Sequence, residues 1–311
     1  MSGLAERSRS KIDYFLKRSK LRWRLFIFII PAFLYFTIFR YGPMYGVQLA
    51  FKNFNFGQGI WNSPWIGLKN FTRFFDSFYF FTVMKNTLLI NFYQILLFPL
   101  PVIFALALND INNLRYKKLV QTVAYIPHFI PAVILVGMLL IFLDPNTGIV
   151  NMIISALGGE PQRFIGEPKY FYGIYIISGE WQHLGWNTII YLAALSGVNA
   201  ELYDAAYIDG ASRFQRVLHI NLPYITPTIL TLFILRMESA LSVGFEKIYL
   251  MQNNLNISQS EVIQTYVYKV GLLQSQYGFS TAIGLFNNVI SLLLLLMVNY
   301  LSQKVFEVGL L

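Results

Sequence analysis

The chain has 311 residues, of which 56% are hydrophobic and 13% charged. A soluble domain carries about a quarter charged residues, so this composition excludes one and points to an all-α integral membrane protein. With no cysteine there is neither a disulfide framework nor a thiolate metal site. The net charge of +9 does not indicate nucleic acid, because eight of the 24 Lys and Arg residues precede Leu25. In a multi-span protein such clustering sets topology.

Residues 1–24 form a basic tail interleaved with Tyr14, Phe15, Leu16 and Trp23. It suits an anionic inner leaflet, or is simply a topogenic charge cluster. Residues 25–311 read as one membrane domain. A helix needs roughly 20 apolar residues to cross the hydrocarbon, and six segments qualify: 25–41, 84–108, 119–143, 170–198, 222–241 and 281–301. An extension of the fifth to residue 249 stays open. The first segment follows a long basic stretch, lacks a small-residue cleavage site and precedes further spans, so it reads as an uncleaved anchor. The loop between Arg40 and Lys85 is rich in Phe and carries Trp61 and Trp65, residues that favour the membrane interface. Pro127 and Pro131 lie four apart in the third span, where each removes a helix hydrogen bond and favours a bend. The bend either lines a moving pathway or is static.

With the N-terminus inside, the cytoplasmic segments hold 14 Lys and Arg residues and the outer ones nine, Lys247 among them. Both termini are then cytoplasmic, as is the loop between the fourth and fifth spans. No GxxxxGK[ST] phosphate loop, HExxH or GxSxG motif occurs. His128, His183 and His219 are scattered. The chain is expected not to be an enzyme and to hold no cofactor or metal.

Polar residues within spans are costly and turn toward a cavity or another helix. At 1.5 Å per residue, Asn187 lies roughly 15 Å from the inner end of its span and Arg236 roughly 20 Å. Gln94, His128 and Asn287 fall at comparable depths. Five helices thus place polar groups in one layer, as a central site for a hydroxyl-rich ligand requires. Trp181, Trp186 and Tyr191 can supply aromatic faces. Against this, Asn and Gln often only bond neighbouring helices. Arg236 either lines the pathway, where it suits an acidic sugar such as a uronate, or forms an ion pair, with Glu180 as the candidate partner.

The loop at 202–227 reads LYDAAYIDGASRFQRVLHINLPYITP. Ala205, Ala206 and Gly210 make a small smooth face, and Asp204, Tyr207 and Asp209 add polar tips. Its spacing resembles the EAA loop of type I ABC importer permeases: Glu-Ala-Ala, three residues, Gly, nine residues, Ile, one residue, Leu-Pro. Here Asp204, Ala205 and Ala206 are followed by Gly210, then Ile220, Leu222 and Pro223, with every gap matched. Asp204 in place of Glu is the one departure. The DGA at Asp209, Gly210 and Ala211 and the preceding Leu192, Ala193, Ala194, Leu195, Ser196 and Gly197 resemble the carbohydrate branch.

The resemblance implies a six-span permease fold whose loop at about 200–220 forms coupling helices. These would fit a cleft in an ATPase subunit, the separate chain that binds ATP and Mg. It also implies a second homologous permease, two ATPase subunits, an extracellular sugar-binding protein, and residence in the bacterial cytoplasmic membrane. An ion-coupled secondary transporter is the competing reading, left open by Glu180 and Glu238.

Overall fold

The computed structural model describes residues 27–238 and 241–306; the basic tail lies outside them. In chain order the principal helices are α1 (Ile27–Phe51), α2 (Lys69–Phe75), α3 (Tyr79–Asn109), α4 (Leu114–Phe129), α5 (Ala132–Phe142) and α6 (Ile149–Ala156). There follow α7 (Phe171–Leu195), α8 (Ala200–Ile208), α9 (Arg213–Met237), α10 (Phe245–Met251), α11 (Ile263–Tyr268) and α12 (Tyr277–Phe306). Among the described residues there is no named strand, only an isolated antiparallel bridge between Lys52 and Trp65.

α1, α3, α9 and α12 are long and apolar enough to cross a membrane, and α4 with α5 makes a fifth crossing if the bent pair is one span. α7 has 25 residues, about 37 Å of helix. Its length suffices, but Glu180, Gln182, His183 and Asn187 lower its hydropathy, so it is not in that apolar set.

The third predicted span is broken. α4 and α5 meet at 98°. Pro131 lacks an N–H and holds φ at −59°, and Ile130 before it is extended at φ −77°, ψ 118°. The carbonyl freed at Ile130 accepts a 2.6 Å bond from Gln182 Nε2 of α7. Pro131 therefore makes the break, while Pro127 sits in the tight turn before it.

α7 is central. It packs on the second half of α3, on α4 and on α9, and α9 packs along α12. Gly185 allows the α4 contact: a Cβ there would lie 2.1 Å from the Ala124 carbonyl oxygen. Apolar clusters fill the crossings. Val102, Ala105, Tyr191, Leu195 and Ile225 join α3, α7 and α9, and Phe74, Val83, Ile263, Phe279 and Ile283 join α2, α3, α11 and α12.

Polar ties fix the opposite end. Asn86 donates to the Ser258 and Glu261 carbonyls and accepts from the Tyr172 hydroxyl at 2.6 Å. The buried Glu261 pairs with Lys269 at 2.6 Å. By contrast every side chain from residue 27 to residue 45 of α1 is exposed.

Candidate functional site

Two regions carry the predicted site residues. The first is the loop from α8 into α9. Asn199 caps α8 by accepting from the Glu201 N–H at 3.0 Å. The helix stops in a paired arrangement. The Ala211 N–H bonds the Ala206 carbonyl at 2.9 Å, and the Gly210 N–H bonds the Tyr207 carbonyl at 3.1 Å. That geometry needs a left-handed residue between them, and Gly210 has φ +72°. Nothing lies within 4 Å of where its Cβ would stand. Within this chain the requirement is therefore conformation, not crowding.

Two residues later α9 starts. Ser212 Oγ accepts from the Gln215 N–H at 3.3 Å, while Gln215 Oε1 accepts from the Ser212 N–H at 2.7 Å. Stop and start occupy three residues, so the chain turns sharply with its backbone bonded. The base of the loop is anchored. The Tyr203 hydroxyl donates to the buried Asn221, Arg213 reaches Asp110 at 3.3 Å, and the Tyr224 hydroxyl donates to the Gly197 carbonyl at 2.8 Å. Burial pushes the Tyr203 hydroxyl above its usual pKa.

The tip is bare: Tyr207 is 78%, Ile208 84% and Phe214 74% exposed. Asp204, Ala205 and Asp209 are exposed; Ala206 and Ala211 are half-buried. Ile220, Leu222 and Pro223 lie where the loop enters the α9 packing.

The second region is a cavity of about 1180 Å³ between α3, α7, α9 and α10. Of the predicted pathway residues it is lined by Gln94, Trp186, Asn187, Tyr191 and Arg236. Arg236 Nη2 donates to Gln94 Oε1, tying α9 to α3. Glu180 also lines the wall and lies within electrostatic reach of Arg236 and Lys247. His128 stands behind the wall. Its ring stacks on Trp186 at 4.2 Å, and its Nδ1 lies 3.1 Å from Nδ1 of His183, so one ring donates and the other accepts.

Two predicted residues lie elsewhere. Trp181 faces a separate apolar hollow together with Leu184 and Gly185. The cavity face of α7 runs through 176, 179, 183, 187 and 190, and position 181 is on the other side of a 3.6-residue helix. Asn287 is buried on α12 outside the lining, its Oδ1 without a hydrogen-bond partner among the described residues.

The charge count sets Lys247 among the outer-loop cations; in the structure it is a buried residue of the cavity wall. Lys247 is 8% exposed, lines the cavity, donates to the Tyr175 carbonyl at 2.9 Å and sits over the Tyr175 ring at 4.8 Å. Gln182, His183, Tyr175 and Glu246 also line the wall. The i, i+3, i+7 spacing of Glu180, His183 and Asn187 holds the signal for the α7 members. Nothing local marks Lys247.

The family model described as "Binding-protein-dependent transport system inner membrane component" matches residues 97–307. Protein LplB of Bacillus subtilis (strain 168) is 43% identical over 296 residues, 95% of this chain and 92% of that protein. The polygalacturonan/rhamnogalacturonan transport system permease protein YteP of the same organism is 41% identical, covering 92% of this chain and 89% of that protein. A crystal structure of a bacterial alginate ABC transporter, in complex with an alginate pentasaccharide-bound periplasmic protein, contains a similar chain. It is 38% identical, superposes with a TM-score of 0.88, and the match covers 94% of this chain and 99% of that one.

Proposed function

The chain belongs to the family of binding-protein-dependent transport system inner membrane components, and on that premise we propose that it is the permease subunit of an ATP-driven oligosaccharide importer in a bacterial cytoplasmic membrane. Its six spans are α1, α3, the α4 and α5 pair, α7, α9 and α12, with both termini inside. A second, homologous permease closes the open side of the cavity. Two ATPase subunits, which bind ATP and Mg, dock on α8 and the turn at Gly210. An extracellular sugar-binding protein delivers the ligand. This chain hydrolyses nothing itself; it moves with its ATPases, and α7 and α9 transmit that movement because the loop joins them directly.

The observation that carries this reading is the cavity. Small-molecule pockets hold roughly 300–1,000 Å³, and this one, at about 1180 Å³, has room for several sugar rings. Its wall mixes rings for stacking (Tyr175, Trp186, Tyr191) with donors and acceptors for hydroxyls (Gln94, Gln182, Asn187). That mixture suits a carbohydrate. Arg236 and Lys247 in the same wall support an acidic sugar, one carrying uronate carboxylates. The alginate transporter and the polygalacturonan/rhamnogalacturonan permease, to which this chain is similar, support the same class.

Uptake of labelled uronic-acid and neutral oligosaccharides of matched length, by cells with and without this subunit, tests both levels. The expected result is loss of the acidic uptake alone. Loss of neutral uptake with acidic uptake intact would overturn the acidic class. No loss of either would overturn the importer.

A further inference from the structure

α7 lines the cavity with one face and a second hollow with the other. This hollow measures about 420 Å³ and lies where α4 crosses α7 beside the end of α3. Leu119, Val123 and Pro127 of α4 meet Trp181, Leu184 and Gly185 of α7 there. Its walls are almost wholly apolar. From its rim an apolar stripe continues along α4: Tyr116, Leu119, Val123 and Ile126, each 56–61% exposed. In water such a stripe is unfavourable. In hydrocarbon it is not. The polar face of α7 looks into the cavity, so this face looks away from the transport path, toward lipid.

Cations stand at one end of the hollow. Arg115 and Lys117 lie in the first turn of α4, four and two residues before Leu119, while Lys118 projects from the side of α4 opposite the hollow. None of the three makes an ion pair with a described residue. They lie at the end of the molecule where Asp110 holds Arg213 and where α8 sits. An apolar slot with unpaired cations at its mouth, at the edge of a membrane span, matches one ligand in both chemistry and order: acyl chain inward, anion outward.

We propose that this hollow binds an anionic phospholipid, with one acyl chain between α4 and α7 and the phosphate against Arg115 and Lys117. Each such cation at a leaflet surface favours an anionic headgroup by roughly fivefold. The site depends on Gly185, because only a residue without a Cβ lets α4 and α7 approach closely enough to shape the slot.

Trp181, 48% exposed in the hollow wall, is a built-in reporter. The assembled transporter is reconstituted in bilayers with increasing fractions of brominated phosphatidylglycerol or brominated phosphatidylcholine. Bromine on the acyl chain quenches indole fluorescence only on contact, and the difference from Trp181→Phe isolates this residue. The phosphatidylglycerol curve is expected to reach half-quenching at a fraction roughly 25-fold lower than the phosphatidylcholine curve, two cations at about fivefold each. Arg115→Gln and Lys117→Gln together should bring the two curves together without moving the phosphatidylcholine curve, while Lys118→Gln alone should leave both in place. High salt applied to the wild type should bring them together as well, a measurement that needs no altered protein. Coincident curves in the wild type at low salt would reduce the hollow to ordinary lipid contact and overturn the proposal. Absence of quenching by either lipid would show that protein covers the hollow, and would overturn it equally.

Discussion

The loop from α8 into α9 and the cavity are built in opposite ways. In the loop the turn itself is built locally. An N-cap, a glycine-terminated helix and a second cap, all within residues 199–215, satisfy the backbone, while Tyr207, Ile208 and Phe214 are left bare. In the cavity the polar side chains are the point of convergence, and their partners are remote in sequence: Arg236 bonds Gln94, and Lys247 bonds Tyr175. The loop is a preformed shape with uncovered apolar tips. The cavity is a polar surface that exists only once α3, α7, α9 and α10 are assembled. Damage to one should therefore spare the other.

The largest expected effect lies in the loop. Gly210 has φ +72°, and a side chain there costs about 1–2 kcal/mol. Gly210→Leu should leave the permease at normal levels yet abolish ATPase retention on purification and with it uptake. Gly210→Asn separates two causes, since Asn tolerates the left-handed region. Recovery with Asn assigns the defect to conformation; failure with Asn assigns it to a close approach by the ATPase. Ala206→Asp, on a half-buried surface of the isolated chain, should also lose the ATPase, because docking would bury an unpaired carboxylate. Wild-type retention and uptake in both Gly210→Leu and Ala206→Asp would remove the loop from the coupling role.

In the cavity the effect is smaller and of a different kind. Lys247→Met keeps most of the volume and removes a charge-assisted bond to the Tyr175 carbonyl. A charge-assisted bond from Lys247 to a ligand carboxylate would contribute ~1.5–3 kcal/mol, so transport of a carboxylate-bearing ligand should fall by roughly 10- to 150-fold. Arg236→Ala should reduce sugar-stimulated ATP hydrolysis in the same direction. Both variants should keep their ATPase in full. A loss of ATPase from either would show that the two regions are not independent.

This contrast also explains what is legible in the amino-acid sequence. Caps and left-handed glycines act over three or four residues, so the turn at Gly210 is legible locally, while the loop around it is found through the resemblance of the Asp204-to-Pro223 spacing to the EAA pattern. Depth along a helix is likewise a matter of counting, and it puts Gln94, Asn187 and Arg236 in one layer. Azimuth is not. Trp181 and Trp186 are equally aromatic and five residues apart, yet α7 turns only the second toward the cavity. Asn287 has the depth without the direction. Lys247 is hidden for a further reason. It lies on α10, beyond the end of α9, and only the return of that segment over Tyr175 brings it inward. Its charge, counted as an outer-loop cation, points the other way.

The smallest expected effect tests how rigid the loop must be before its partner arrives. Ser212 and Gln215 exchange two hydrogen bonds at the start of α9, and the ordinary α-helical stretch there is only four residues, Arg213–Arg216, before the turn at Val217 loosens. So short a piece has little stability of its own. Ser212→Ala removes the cap at a cost of about 1 kcal/mol. If the ATPase binds the loop as a preformed shape, that loss appears at docking as about a fivefold weaker affinity, with uptake reduced by no more than that factor. Ser212→Asp, an equally good cap, should restore wild-type affinity, because the helix start is what matters and not the hydroxyl. Titration of purified ATPase onto reconstituted permease measures both. Unchanged affinity for Ser212→Ala would mean that the partner itself folds this turn on contact. The exposed Tyr207, Ile208 and Phe214 would then supply the whole of the recognition, and the local bonding that separates this loop from the cavity would have no part in coupling.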